Sequence, residues 1–402
     1  MCNIPSNGFG LIGSTIIINM KIKRRYFLNK LATTGFLASI FSPARLLAGK
    51  KIANPFEKPV NFKKIDLHTH ISSDATYLRE IMDQWNLKMF TICNEGLKSD
   101  RLKAQIKTAV EICEEFPRYY AWCTTFDLNG IGAPEWPNEV IDKLKRDFGR
   151  GALAVKVWKE IGMQLKDSNE NFTQVDDPVF DSIFNFIKAE EKTLMMHIGD
   201  PPGYWLSTGP DGYPDAWYKE GNAVWNRVGA FRGEVSYDTL MRARDRVLEK
   251  HPDLRIVGCH MGNLSFDVNQ VARRLDRYPN YAVETSFTLP FLMDQAREKV
   301  REFFLKYQDR ILYGSDISGG LVASPFLVDM SKINEKWTGE EILKLKTALL
   351  QQYEQDFNYF ATDQEFSRGN YYVKGLALPD EVLRKIYFDN AIVWMPGVEK
   401  NF

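Results

Sequence analysis

No two of the five cysteines form a CxxC pair, and their number is odd. The chain therefore offers neither a zinc knuckle nor a disulfide framework. Cys93, Cys123 and Cys259 each stand in an apolar run, where a buried free thiol is the ordinary state. Net charge is missing too. Fifty-two basic residues balance 52 acidic ones, which leaves no broad electrostatic footprint for nucleic acid. No glycine-rich phosphate turn follows the first strand-like run, and this counts against an open, doubly wound nucleotide-binding sheet. Histidine is scarce, with five in 402 residues: His68, His70, His197, His251 and His260. There is no internal repeat and no low-complexity segment.

What the chain has is apolar bulk. Hydrophobic residues make up 44% of it, with 26 Phe and 17 Tyr, enough for one large core. A single barrel reaches this length once its loops grow.

Residues 1–55 read as an address and not as part of the fold. A basic cluster from Lys21 to Arg25 precedes a modestly apolar stretch from Leu31 to Phe41, too short to span a bilayer. Arg24-Arg25 followed by Tyr26-Phe27-Leu28 resembles a twin-arginine export signal, which implies a periplasmic protein that folds before export. Met20 is then a candidate true start. The alternative is an amphipathic terminal helix on a cytoplasmic protein. Residues 56–402 are expected to form the barrel.

From residue 61 onward a short apolar run ending in a polar residue alternates with an amphipathic helical pattern. The runs are Ile65–His70, Met89–Asn94, Tyr119–Asp127, Ala152–Trp158, Thr193–His197, Arg255–His260, Tyr281–Ser286 and Ile311–Asp316. Most are continuously apolar, as parallel strands buried on both faces require. Helical patterns lie between them at Arg101–Phe116, Asn138–Phe148, Pro178–Glu190, Tyr237–Lys250, Phe266–Tyr278 and Met293–Tyr307, and Pro379–Phe388 closes the chain. Eight such beats predict a (β/α)₈ TIM barrel, an α/β fold. Two connections are long, 199–236 after strand five and 317–378 after strand eight. Both leave the strand ends where barrel enzymes build their sites. The first carries Trp205, Trp217 and Trp225 and is expected to wall the substrate pocket.

Four of the five histidines fall at the ends of strands one, five and six. His251 alone sits at a helix end, an ordinary cap that suits the helix dipole. Any one histidine would read as a hydrogen-bonded core residue, but the set is harder to explain that way. Parallel barrel strands bring all their C-terminal ends to one rim. His68 and His70 point to the same side because side chains repeat every second residue. His197 arrives from across the ring and Asp316 from strand eight. Imidazoles with a carboxylate and one open position are the ligand set of a catalytic zinc or a similar first-row ion.

These residues resemble the amidohydrolase superfamily, and within it the amidohydrolase-related (family 2) group that includes aminocarboxymuconate semialdehyde decarboxylase, several lactonases and hydratases. The likeness rests on His68-x-His70, His197, His260 and Asp316. It extends through the stretches Pro252–Asn263 and Phe304–Asp316 and the closing Asp389-Asn390-Ala391, over roughly residues 61–395. It implies that His68, His70, His197 and Asp316 hold one divalent ion, Zn²⁺ or else Mn²⁺ or another first-row ion. It implies that His260 faces the substrate or the activated water, and that Asp316 also takes a proton from that water. The implied reaction is hydrolysis of an ester, lactone or amide of a small molecule. Non-oxidative decarboxylation on the same ligands is the alternative, and a catalytically silent binding barrel is the alternative of a different class.

Lys156, in Ala154-Val155-Lys156-Val157-Trp158, departs from the family pattern, because Trp158 stands where a later histidine is typical. Lys156 is read as a substrate-carboxylate contact or a structural ion pair, in preference to a carboxylated lysine bridging two ions. Trp158 and Glu284 join it as candidate substrate contacts. Asp127 and Asn94-Glu95 lie at the rim but are explained as well by loop and helix capping. The expected partner is a small molecule, with no nucleic acid and no membrane span after signal removal. A homodimer or higher homo-oligomer stays open.

Overall fold

The computed structural model describes residues 62–202, 235–321, 336–368 and 371–402. The export segment expected at 1–55 and Trp205, Trp217 and Trp225 lie outside the described residues.

The strands are β1 (Lys64–Ile71), β2 (Leu87–Ile92), β3 (Tyr120–Thr124), β4 (Ala154–Val157), β5 (Thr193–Met196), β6 (Ile256–Gly258), β7 (Tyr281–Glu284), β8 (Ile311–Leu312) and β9 (Ile317–Gly319). Each pairs in parallel with its neighbour, in the order β8-β7-β6-β5-β4-β3-β2-β1-β9. The two outermost pieces are β8, which opens the predicted eighth strand Ile311–Asp316, and β9, which begins one residue beyond its end, in the stretch expected to be a connection. β8 pairs with β7, and β9 pairs with β1 through Thr69↔Ile317 and His70↔Ser318. Across the break, Leu67 N–H donates to Tyr313 O at 3.0 Å and Asp316 N–H donates to His68 O at 2.8 Å. The seam is thereby closed, and the sheet is a (β/α)₈ barrel. The pattern of the sequence predicts an eighth strand unbroken through Asp316. The chain instead turns there, with Asp316 in the left-handed region at φ 62°.

The barrel interior is filled by Ile65, Leu67, Phe90, Ala154, Met195, Val257 and Leu312. Trp394 and Met395 of the C-terminal segment pack into the same cluster, and Thr193 Oγ1 donates to Trp394 O. The closing helix thus runs on past Phe388, through a π-turn at Lys385–Asp389 to Asn390–Trp394.

The outer helices are α1 (Thr76–Trp85), α2 (Ser99–Glu115), α3 (Trp136–Gly149), α4 (Asp181–Ala189), α5 (Tyr237–Lys250), α6 (Val268–Arg277), α7 (Arg297–Lys306) and α8 (Gly339–Ala361). The predicted helix over Met293–Tyr307 is two pieces, because Ala296 is extended (ψ 124°) ahead of α7. α8 lies inside the long connection after the eighth strand. Thr338 caps it in a reciprocal box with Glu341. Its buried stripe of Leu349, Tyr353, Asp356, Phe357 and Phe360 repeats at helical spacing. Phe357 meets Trp85 of α1 with ring centroids 5.0 Å apart. None of the described helices is long and apolar enough to cross a membrane.

Candidate metal centre

Alternation along β1 sends His68 and His70 to one side, and the turn after β8 brings Asp316 to meet them. His68 Nε2 lies 3.4 Å and His70 Nε2 3.3 Å from the same oxygen, Oδ1 of Asp316. His68 is 2% exposed and Asp316 26%, so the carboxylate faces the opening and His68 the interior.

Behind His68 stands Glu284, at the end of β7 and wholly buried. Its Oε1 lies 2.9 Å from His68 Nδ1 and also accepts from His260 N–H at 2.9 Å and Ser286 Oγ at 2.7 Å. Its Oε2 accepts from Ser286 N–H at 2.5 Å. A carboxylate can only accept, so Nδ1 of His68 carries the proton and Nε2 keeps its lone pair toward Asp316.

His260 opens a run of left-handed residues, with φ 55° at His260, 54° at Met261, 64° at Gly262 and 58° at Asn263. Non-glycine residues adopt that conformation at a cost, and clusters of it mark sites where the chain is held against its preference. Asn263 Nδ2 donates to Ile198 O at 2.8 Å, fixing the turn to the end of β5. His260 Nδ1 donates to Ser286 O at 2.9 Å, which leaves Nε2 as acceptor for His197 Nδ1 at 3.2 Å. His197 Nε2 therefore retains a lone pair.

Burial, with a smaller contribution from Lys156, lowers the His68 imidazole to about 4. Burial, followed by His260, Lys159 and Lys156, brings His197 well below the ordinary histidine range. Both rings are neutral at pH 7, as ligation of a cation requires. Burial alone would raise the Glu284 carboxyl. The His68 ring, with help from His260 and Ser286, outweighs it and brings Glu284 down to about 2. Burial is likewise overcome at Asp316, where His68 and His70 hold the carboxyl well below the usual carboxylate range.

The donor set fits a first-row divalent ion. Ligand atoms of His68, His70 and Asp316 all lie within 4.8 Å of one another, and they combine imidazole nitrogen with carboxylate oxygen. The carboxylate behind His68 is the usual companion of a ligating imidazole. A deeper grouping of His68, Cys259 and Glu284 also meets that distance. It suits an ion poorly, because Lys156 Nζ donates to Cys259 Sγ at 2.8 Å and Glu284 is already engaged by His68.

The other predicted residues are spread more widely. His197 joins His260 and not the three-residue cluster. The Trp158 ring stands 6.5 Å from the His197 ring. Lys156 is buried beneath the site against Cys259, and Glu284 holds His68 from behind instead of lining an opening. Asp127 accepts from Asn129 N–H, and Asn94 and Glu95 engage Gln105, Lys98 and Arg101, all local ties at the rim. His251 is the C-terminal cap of α5, with Nε2 3.4 Å from Asp181. Asp66, Ser286 and the pair Lys159–Asp200, whose Nζ and Oδ1 are 2.6 Å apart beside His197, are further residues of the site that the sequence pattern does not single out. No sequence signal marked Asp66: it stands two residues before His68, but the register of β1 shifts between Asp66 and Thr69, so Asp66 turns to Ser315 and Tyr353 while His68 turns to Glu284.

The amidohydrolase family model matches residues 65–394, from β1 through the closing helix. The chain belongs to the amidohydrolase family. Among solved structures, this amidohydrolase is similar to 4-oxalomesaconate hydratase from Rhodopseudomonas palustris. The identity is 11% and the TM-score 0.44, over 84% of this chain and 97% of that one. It is also similar to an amidohydrolase from Pseudomonas aeruginosa, at 13% identity and TM-score 0.41, over 86% of this chain and 98% of that one. No curated protein matches the chain.

Proposed function

We propose that this amidohydrolase cleaves an ester, lactone or amide bond of a small molecule at the His68–His70–Asp316 cluster, with His197 completing the ligands of one divalent ion, zinc or another first-row metal. The convergence of two imidazole Nε2 atoms on one Asp316 oxygen carries this reading. When bound, such an ion supplies Lewis acidity and a water acidified from a pKa of about 15.7 to about 7.

The residues of the chain do the rest. Glu284 fixes the tautomer and orientation of His68. Asp316, ionised and the most open member of the cluster, accepts a proton from the attacking water. His260, anchored through Nδ1 to Ser286 O, turns the lone pair of Nε2 toward His197 and the substrate side, where it takes up and relays the proton. Trp158, just past the end of β4 and beside the His197 ring, is the proposed substrate-side residue, while Lys156 stays beneath the site on Cys259. Export through the Arg24-Arg25 segment is part of the same reading, and Arg24→Lys with Arg25→Lys should leave the protein in the cytoplasmic fraction.

The test is elemental analysis of the purified full chain, then a panel of lactones, amides, esters and carboxylated aromatics with and without chelator. The expected result is near one ion per chain and a bond hydrolysed only by the metal-loaded form. Release of CO₂ without hydrolysis would assign a carbon–carbon lyase instead. Two ions per chain would return Lys156 to a bridging role. A metal-loaded chain without turnover on any class would favour the binding barrel.

A further inference from the structure

We infer that α8 is a latch on the metal centre, and that Tyr353 and Gln352 are positioning residues for Asp316. The inference rests on the metal-site reading above.

The break between β8 and β9 leaves Ser315 and Asp316 outside the regular ladder, so something else must hold them. Asp66 does so from β1. Its Oδ1 accepts from His68 N–H at 3.2 Å and from Ser315 N–H at 2.9 Å, and its Oδ2 accepts from the Ser315 hydroxyl. One fully buried carboxylate thus ties the backbone at His68 to the residue preceding Asp316. Asp316 N–H returns the tie to His68 O at 2.8 Å.

Two further attachments come from α8. The Tyr353 hydroxyl, wholly buried, donates to Asp66 Oδ2 at 2.8 Å. Gln352 Nε2 donates to Ser315 O at 3.1 Å. The helix is seated by an aromatic layer. Phe357 stacks on Tyr353 with ring centroids 5.7 Å apart, and Asp356 accepts from the Tyr313 hydroxyl at 3.0 Å. Removing either α8 bond leaves that seat intact and loosens only the turn that aims Asp316 at His68 and His70. Ligand position, and with it metal affinity, should therefore depend on two side chains that touch no ligand atom. Outer-layer bonds of this kind are worth about 10- to 100-fold in metal affinity.

The test compares wild type, Tyr353→Phe, Gln352→Leu and the control Tyr387→Phe, which deletes a hydroxyl of the same aromatic layer, its ring 5.3 Å from that of Phe357, that makes no hydrogen bond among the described residues. Zn²⁺ affinity is read by competition with a chromophoric chelator. Ligand geometry is read from the visible spectrum of the Co²⁺-loaded chain, and fold from circular dichroism and the thermal midpoint. Tyr353→Phe and Gln352→Leu should each bind Zn²⁺ about 10- to 100-fold more weakly and alter the Co²⁺ bands. Tyr387→Phe should leave the affinity and the Co²⁺ bands as in wild type. Should Tyr353→Phe fail to fold, Gln352→Leu carries the test by itself. Wild-type affinity and spectrum in the folded α8 variants would overturn the latch while leaving the metal site standing. A wild-type chain that binds neither ion would overturn both.

Discussion

Glu284 meets His68 from two strands away around the ring, Oε1 to Nδ1 at 2.9 Å. The contact decides which nitrogen of His68 faces the opening. Glu284 is itself held by the amides of His260 and Ser286, so it has no freedom to swing aside. Glu284→Gln keeps the shape but removes the charge and one acceptor oxygen. Zn²⁺ affinity should fall about 10- to 100-fold, with the circular dichroism spectrum unchanged. Unaltered affinity in a direct titration would remove Glu284 from the metal centre.

Gly314 is where the same three strands approach too closely for a side chain. A Cβ there would lie 2.4 Å from Glu284 Oε2 and 3.1 Å from Cβ of His68. Neither neighbour can yield freely, since one is hydrogen-bonded on both oxygens and the other is the first side-chain atom of a β1 residue, fixed in place by the strand. Gly314→Ala should cost about 1–3 kcal/mol in denaturant unfolding, as overpacked cores do. It should also weaken Zn²⁺ binding by displacing both residues. A variant with wild-type midpoint and affinity would mean the turn is looser than its contacts indicate.

Glu160, just beyond β4, has a carboxyl raised by burial to about 7 from the usual 4.5, despite accepting from Leu97 N–H at 3.1 Å. The unfolded chain gives up this proton near pH 4.5 and the folded chain near pH 7. Stability is therefore fully present below pH 4.5 and is lost as pH rises through 7, by at most about 1.4 kcal/mol per pH unit in that window. Glu160→Gln retains an oxygen for Leu97 N–H and carries no charge. It should match wild type at pH 4 and be more stable at pH 8, by about 1–3 kcal/mol. Urea titrations at the two pH values measure this, and equal differences at both would show that the buried carboxyl imposes no cost.

The barrel and its mouth were legible because their signals are local. Each strand is a short apolar run, and His68, His70, His197, His260 and Asp316 all stand at the ends of such runs. A parallel barrel forces those ends to one rim whatever the intervening sequence. The long α8 escaped notice although Thr338 and Glu341 have the spacing of a capping box, because the helix lies in a connection read as loop. The break at Asp316 was not legible either. It depends on hydrogen bonds from β1 and α8, and a run ending in Tyr-Gly-Ser-Asp reads the same with or without it. Asp66, inside β1, was hidden because the strand shifts register between Asp66 and Thr69, and the role of Glu284 was hidden for a simpler reason. An acidic residue at a strand end can face the pocket or stand behind a ligand, and only the neighbouring strand decides which. The neutral tautomers of His68 and His197 follow from burial and from partners 216 and 63 residues away.

Asp316 is the residue on which position and chemistry can be separated most cleanly. Its φ of 62° is one that asparagine tolerates and most side chains do not. Asp316→Asn should therefore keep the turn, the Asp316 N–H bond to His68 O and the fold. It loses the negative oxygen shared by His68 and His70 and the base that accepts the proton of the attacking water. Turnover of whichever substrate the panel identifies should drop by about 10²- to 10⁴-fold, the usual contribution of a positioned general base. The thermal midpoint of the metal-free protein should move little. Asp316→Ala should lose turnover as well, with an added stability loss from placing alanine at a positive φ, and that loss separates backbone strain from chemistry. Turnover surviving in Asp316→Asn with metal still bound would assign proton transfer to another group, and His260 would be the first residue to replace.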